Sequence, residues 1–226
     1  GDKDEIIVQP NPKTALDLYR LAAQNNSAEA AYNVGLYYEQ GAVVDKDPTK
    51  AAALIQSAAL AGLPAAMFKL AGFYQNGLGI AKDIVAASAW YQRSADAGLP
   101  AGQLVYGAML EGGIGGVKQS FGAAATEYEK AANAGLPQAM INLASLAERG
   151  LTGKVNLPVA WSWASLAIDA STNEQNPKGD ANAVAYRDKL AATMTAADKK
   201  AAKADYEAKK KAASDARAAA AAPANP

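Results

Sequence analysis

Between Ala65 and Asn76 the apolar residues Met67, Leu70, Ala71 and Tyr74 fall at i, i+3, i+4 and i+7, one stripe of an amphipathic helix. Gly77 and Gly79 follow, and glycine takes up without steric cost the left-handed backbone that ends a helix and turns the chain. A second stripe, Ala87, Trp90, Tyr91, Ser94 and Ala95, starts just after Asp83, a residue type suited to capping a helix N-terminus, and closes at Gly98. A hairpin of two such helices cannot cover its own apolar face, so it has to stack on neighbours of the same kind.

Those neighbours are in the sequence. Thirty-six residues before Gly77 stands Gly41, and thirty-six after it Gly113; Asp83 has Asp47 behind it, and Pro64-Ala65 has Pro100-Ala101 ahead. A further copy lies 37 residues on, with Ala144 and Gly150 in the places of Ala71 and Gly77, while Asn11–Tyr19 mirrors Asp47–Ile55. The periodicity predicts helices near 14–26, 29–40, 48–61, 65–76, 84–97, 101–112, 122–134, 138–149 and 158–170. Residues 13–26 then form a half repeat at the open end of the array, anchored by Leu16, Leu18, Tyr19 and Ala22.

The shared positions from Ala66 to Gly98 read Ala-x-x-x-Leu-[Gly/Ala]-x-x-Tyr-x-x-Gly-x-Gly-[Val/Ile]-x-x-Asp-x-x-x-Ala-x-x-Trp-Tyr-x-x-[Ser/Ala]-Ala-x-x-Gly, and this resembles the Sel1-like repeat, a relative of the tetratricopeptide repeat. The resemblance covers residues 11 to about 170. It implies an all-α fold, an α-solenoid of stacked antiparallel helix pairs wound as a right-handed superhelix, that serves as a binding scaffold in a bacterial cell. The expected organisation is a flexible leader at 1–10, with extended pairing of Ile6, Ile7 and Val8 as the alternative, and a repeat array at 11–171. Residues 172–226 follow as a C-terminal capping segment.

The C-terminal segment leaves the period. Residues 181–194 read as a helix that covers the last repeat, and Thr195 with Asp198 as the capping arrangement of a long Ala/Lys-rich helix at 196–220. Tyr206 is the large apolar side chain of that helix, which is therefore expected to be loosely held. In the preceding helix Trp163 takes the position of Trp90 and is expected in the core, whereas Trp161 takes that of Ser88 and is expected to face solvent or the tail.

Composition narrows the chemistry. Twenty-two basic residues balance twenty-two acidic ones, so no global field favours nucleic acid or an anionic membrane. No apolar run approaches the length of a membrane span. The chain has no cysteine, hence no disulfide or thiol chemistry, and no histidine, the commonest side-chain base and metal ligand. The glycine-rich stretch Gly112–Ser120 follows an amphipathic helix rather than a strand, and Lys118 is followed by Gln119, so it reads as an inter-helix turn and not a phosphate loop. Asp45–Lys50 lacks the later ligands of a calcium loop and aligns with the same turn in the other repeats. No cofactor, metal ligand set or catalytic residue emerges.

In tetratricopeptide-like stacks the first helix of each pair lines the concave face, and the resemblance carries that geometry here position by position. The candidate partner-binding residues are then Glu29, Tyr32, Leu36 and Glu39; Phe68, Gln75 and Asn76; Leu104, Ala108 and Glu111; and Gln138, Ile141, Ser145, Glu148 and Arg149. Tyr32, Phe68, Leu104 and Ile141 form a ladder that is either an apolar seam for a partner or packing between repeats. Glu39, Glu111 and Glu148 make an acidic edge suited to a basic partner, interrupted by Gln75 and weakened by Arg149. The expected function is a non-enzymatic protein–protein interaction scaffold or adaptor that regulates or assembles a bacterial envelope complex. It is expected to bind another protein or peptide and no nucleic acid, and to be monomeric. An immunity-like protein that binds a toxin or effector is one alternative; a carboxylate-dependent glycan- or peptidoglycan-active enzyme using Glu111 and Glu148 is another. The chain opens at Gly1-Asp2 without a methionine or a signal-peptide pattern, so a trimmed N-terminus is expected. The expected location is periplasmic or otherwise exported, with a signal peptide removed, and the cytoplasm is the alternative.

Overall fold

Every turn between the paired helices is built in the same way, and the sequence shows why. In the computed structural model, which describes residues 11–221 with side chains through 216, the first helix of each of three pairs ends on a left-handed glycine, Gly41, Gly77 or Gly113. The chain then returns so that a backbone N–H on the capping residue of the second helix bonds to the end of the first. Asp47 donates to the Tyr38 carbonyl, Asp83 to Tyr74, Ser120 to Leu110 and Asn156 to Ala147, each at 2.9 Å. The same residues then turn their side chains inward: Asp47 accepts from the Lys50 N–H, Asp83 from Val85 and Ala86, Ser120 from Ala123, and Asn156 from Val159. A cap of this kind contributes typically about 1 kcal/mol. Three of the first helices begin Leu-Pro instead, with proline at the first helical position, where its missing N–H costs nothing.

Eleven helices result among the described residues, with no strand: α1 Pro12–Gln24, α2 Ala28–Gln40, α3 Pro48–Leu60, α4 Pro64–Asn76, α5 Ile84–Asp96, α6 Pro100–Gly112, α7 Phe121–Asn133, α8 Pro137–Glu148, α9 Leu157–Ser171, α10 Ala181–Thr193 and α11 Ala196–Ala221. The all-helical expectation holds, with boundaries displaced by no more than a few residues. The reading of residues 1–10 lies outside the described residues. The chain divides after Ala97 into two compact units.

In the N-terminal unit α2 pairs with α3 and α4 with α5, α3 stacks on α4, and α1 lies on α2. Its core joins Ala51, Ile55, Ala58, Ala66, Leu70 and Phe73. Small residues sit where helices touch: a Cβ on Gly35 would meet Ile55 Cγ1 at 2.8 Å. In α1, Leu16 is buried, but Leu18 is 63% exposed and Tyr19 37%, so two of the four expected anchors are not anchors. Tyr19 instead leans on Tyr37, ring centroids 6.5 Å apart.

In the C-terminal unit α6 pairs with α7 and α8 with α9, α7 stacks on α8, and both α10 and α11 lie against α9. Tyr128 is fully buried at the centre, against Gly107, where a Cβ would come within 2.8 Å of its ring. Trp161 faces the tail, as one reading of it expected: Tyr206 of α11 meets it edge-on at 6.3 Å. Trp163 is half-buried and packed against the core, and its ring centre also lies 5.2 Å from the Lys209 ammonium of α11. The expectation of a loosely held tail needs correction. The long helix is docked, with Ala202 buried and Tyr206 and Lys210 both bonded to Asp169. Its alanines bring the backbone close enough for those few contacts to be made.

Candidate functional site

The candidate binding residues lie on the first helix of each pair, and the two units are taken separately. In the N-terminal unit the C-terminal end of α2 is tied to the middle of α4 by an ion pair, Lys69 Nζ to Glu39 Oε2, at 2.8 Å. Tyr32 and Leu36 on α2 are half-buried, and Tyr32 packs against the core. Glu29 is exposed in the first turn of α2, where its carboxylate accepts from the Ser27 hydroxyl. Phe68 is half-buried; its ring meets Tyr91 edge-on at 5.3 Å. Gln75 is held by the Tyr91 hydroxyl, which donates to its Oε1 at 2.8 Å, and the Asn76 amide donates back to the Gly72 carbonyl. Between these groups a cleft of about 310 Å³ opens, lined by Glu39, Phe68, Lys69, Gly72, Phe73, Asn76 and Leu78.

In the C-terminal unit the carboxylates of the expected acidic edge are engaged. Glu111 accepts from the buried Tyr128 hydroxyl at 2.9 Å and pairs with Arg149 at 3.3 Å, and its carbonyl accepts from the Gln119 amide. Glu148 accepts from Tyr186 of α10 at 2.7 Å. Burial, then the adjoining carboxylate, pushes the ionisation of Tyr128 and Tyr186 far above the ordinary tyrosine value. Leu104 and Ile141 are half-buried and packed against the core, as Tyr32 is in the other unit. Ala108 is exposed, Gln138 is exposed and donates to Asn142, Ser145 is half-buried, and Arg149 is exposed apart from its pair with Glu111.

The tyrosine contacts are the part of the site that reasoning from the sequence missed. Gln75 with Tyr91 and Glu111 with Tyr128 occupy equivalent places in successive repeats, so alignment of the second helices carried a signal. Tyr186 comes from outside the period and carried none. Lys69, Phe73 and Leu78, which complete the cleft, were likewise unremarked. Among the described residues no group of three or more acidic side chains is placed to hold a metal ion, and no helix is long and apolar enough to cross a membrane.

Comparison with known proteins agrees with this architecture. The chain matches the Sel1 repeat over residues 4–27, 28–63, 64–99, 100–136 and 137–171. Among solved structures it is similar to a Sel1 repeat protein from Oxalobacter formigenes, with 27% identity and a TM-score of 0.65 over 81% of this chain and 80% of that one. It is also similar to a protective antigen of uropathogenic Escherichia coli that displays an SLR fold, with 29% identity and a TM-score of 0.68 over 71% of this chain. The match spans 34% of that antigen's length. An immunity protein from Pseudomonas aeruginosa aligns over 81% of this chain and 75% of its own at 18% identity and a TM-score of 0.47, too distant to bear on function. No curated protein matches the chain.

Proposed function

Because the chain belongs to the Sel1 repeat family, whose members generally mediate protein–protein interaction, we propose that it is a non-enzymatic scaffold that binds a protein or peptide on the first helices of its repeats, within an exported bacterial envelope complex. The observation that carries this reading is the state of the polar groups on that face. Glu111 is bonded to Tyr128 and Arg149, and Glu148 to Tyr186, which supports a structural use of both carboxylates. What the face still offers is half-exposed apolar surface around Phe68 and a cleft beside it. Apolar anchors of this kind dominate affinity at protein interfaces.

The test is capture from bacterial envelope extract by the wild type and by Phe68→Ala, with partners identified by mass spectrometry. Melting temperature and affinity are then measured on the same samples. Loss of a recovered partner with an unchanged melt supports the scaffold reading. An unchanged affinity in every first-helix variant moves the binding surface elsewhere. Hydrolysis of a peptidoglycan or glycan substrate that Glu111→Gln abolishes makes the protein an enzyme instead.

A further inference from the structure

Among the glycines inside first helices, two are plainly demanded by packing. A Cβ at Gly35 would strike Ile55, and one at Gly107 would strike Tyr128, each at 2.8 Å. Gly72 is different: a Cβ there would meet only the Tyr91 hydroxyl oxygen, at an ordinary 3.7 Å. Glycine in a helix interior is destabilising relative to alanine, and at Gly72 no close contact offsets that cost. The equivalent positions in the other repeats carry side chains, Leu36, Ala108 and Ser145. What Gly72 does instead is line the cleft.

The cleft has the features of a pocket for one side chain. Phe68, half-buried, supplies an aromatic wall, Phe73 lies buried in the core behind the lining, and Leu78, 42% exposed, stands at its edge. Its volume of about 310 Å³ is around twice that of an apolar cavity known to hold benzene, roughly 150 Å³, so a phenol or indole ring fits. The charged groups on its rim, Glu39 and Lys69, neutralise one another and remain partly exposed. A neutral rim with one acceptor and one donor is complementary to an uncharged peptide backbone rather than to a charged ligand.

We propose that this pocket receives a single aromatic side chain of a partner peptide, with Glu39 and Lys69 bonding the peptide groups beside it. The proposal rests on the scaffold reading and specifies its anchor. It is tested by selecting displayed random peptides on the full chain and measuring a selected synthetic peptide by fluorescence anisotropy. Gly72→Leu fills the pocket and improves helix propensity, so the expected result is binding weakened at least tenfold with the melting temperature held or raised. Replacing the peptide's aromatic residue with alanine should cost as much on the wild type and little more on Gly72→Leu, the non-additivity of a direct contact. Should Gly72→Leu melt below the wild type, Leu78→Ser at the edge of the pocket takes its place in the same comparison. Peptides that bind the pocket-filled variant as tightly as the wild type overturn the pocket; if Tyr32→Ala or Leu104→Ala weakens them, the scaffold reading survives. A selection that enriches no peptide overturns both.

Discussion

Equivalent positions in the two units are resolved by different partners. In the N-terminal unit the last-turn residues of the first helices are Glu39, paired with Lys69 at the edge of the cleft, and Gln75, which accepts from Tyr91. In the C-terminal unit the corresponding residues are Glu111 and Glu148, each a carboxylate holding a tyrosine hydroxyl. The tryptophans diverge in the same way. Trp90 is covered by Arg93 of its own helix, 4.5 Å from the ring centre, whereas Trp163 is covered by Lys209 of α11. The N-terminal unit thus uses partners from within the repeats, while the C-terminal unit recruits Tyr186, Tyr206 and Lys209 from beyond them. A repeat determines where a side chain stands; what it binds depends on what else the chain supplies. In the C-terminal unit Glu111, Glu148, Trp161 and Trp163 are engaged, while in the N-terminal unit a cleft opens beside Phe68.

The largest effect expected from this contrast is at Tyr128. Tyr128→Ala removes a fully buried ring and leaves Glu111 without its donor, so it should cost about 3–5 kcal/mol in denaturant melts. The partly polar environment of Tyr91, 5% exposed and bonded to a neutral amide, predicts a smaller loss for Tyr91→Ala. Equal losses would mean that the carboxylate adds nothing to the burial. Removing residues 196–226 comes next. The cut exposes Trp161 and Trp163, so it should lower stability by about 1.5–3 kcal/mol, comparable to burying one large side chain, and shift tryptophan emission to longer wavelength. An unchanged melt and spectrum would show that α11 is only resting on α9.

The expectation of a loosely held tail failed for a physical reason that concerns volume. Counting large apolar residues finds Tyr206 alone in α11, but an alanine-rich face permits close approach, and Ala202 is buried. The docking energy then comes from groups already on α9: Asp169, Trp163, expected in the core, and Trp161, expected toward solvent or the tail. By contrast, the helices were legible because glycine, the capping Asp, Ser or Asn, and the apolar stripe recur together in register. The candidate face was legible as positions only. Whether Leu104 is groove or core depends on how deeply α6 sits against its neighbours, and the period is silent on depth.

Hydroxyl removal sharpens the comparison further. Tyr128→Phe breaks a bond to a charged acceptor and should cost about 1.5–3 kcal/mol; Tyr91→Phe breaks one to a neutral amide and should cost about 0.5–1.5 kcal/mol. The same groups determine an alkaline limit. Burial and then Glu111 raise Tyr128 above the ordinary value of 10.0, and burial and then Glu148 raise Tyr186 likewise. The unfolded chain therefore loses these protons first. Stability is complete below pH 10.0 and declines as pH rises above it, and Tyr128→Phe should flatten that decline. A variant that keeps the full wild-type slope would place the effect on other tyrosines.

The smallest effect belongs to the pair at the open cleft. Glu39 and Lys69 approach to 2.8 Å, yet their side chains retain 24% and 33% of their exposure, and a pair so placed is partly screened by water and salt. A double-mutant cycle with Glu39→Gln and Lys69→Met should give a coupling of about 0–1 kcal/mol in thermal or denaturant melts, weaker still in high salt. That contrasts with Glu111, whose removal also strands a buried hydroxyl. The low coupling is what a binding rim requires, because groups that contribute little to the fold are free to exchange partners when a peptide arrives. If the cycle instead returns 2 kcal/mol or more by the stability measurement, roughly the value of a bond to a charged acceptor, Glu39 and Lys69 are a structural clamp between α2 and α4. The two units would then differ in the identity of their clamps and not in what they leave open.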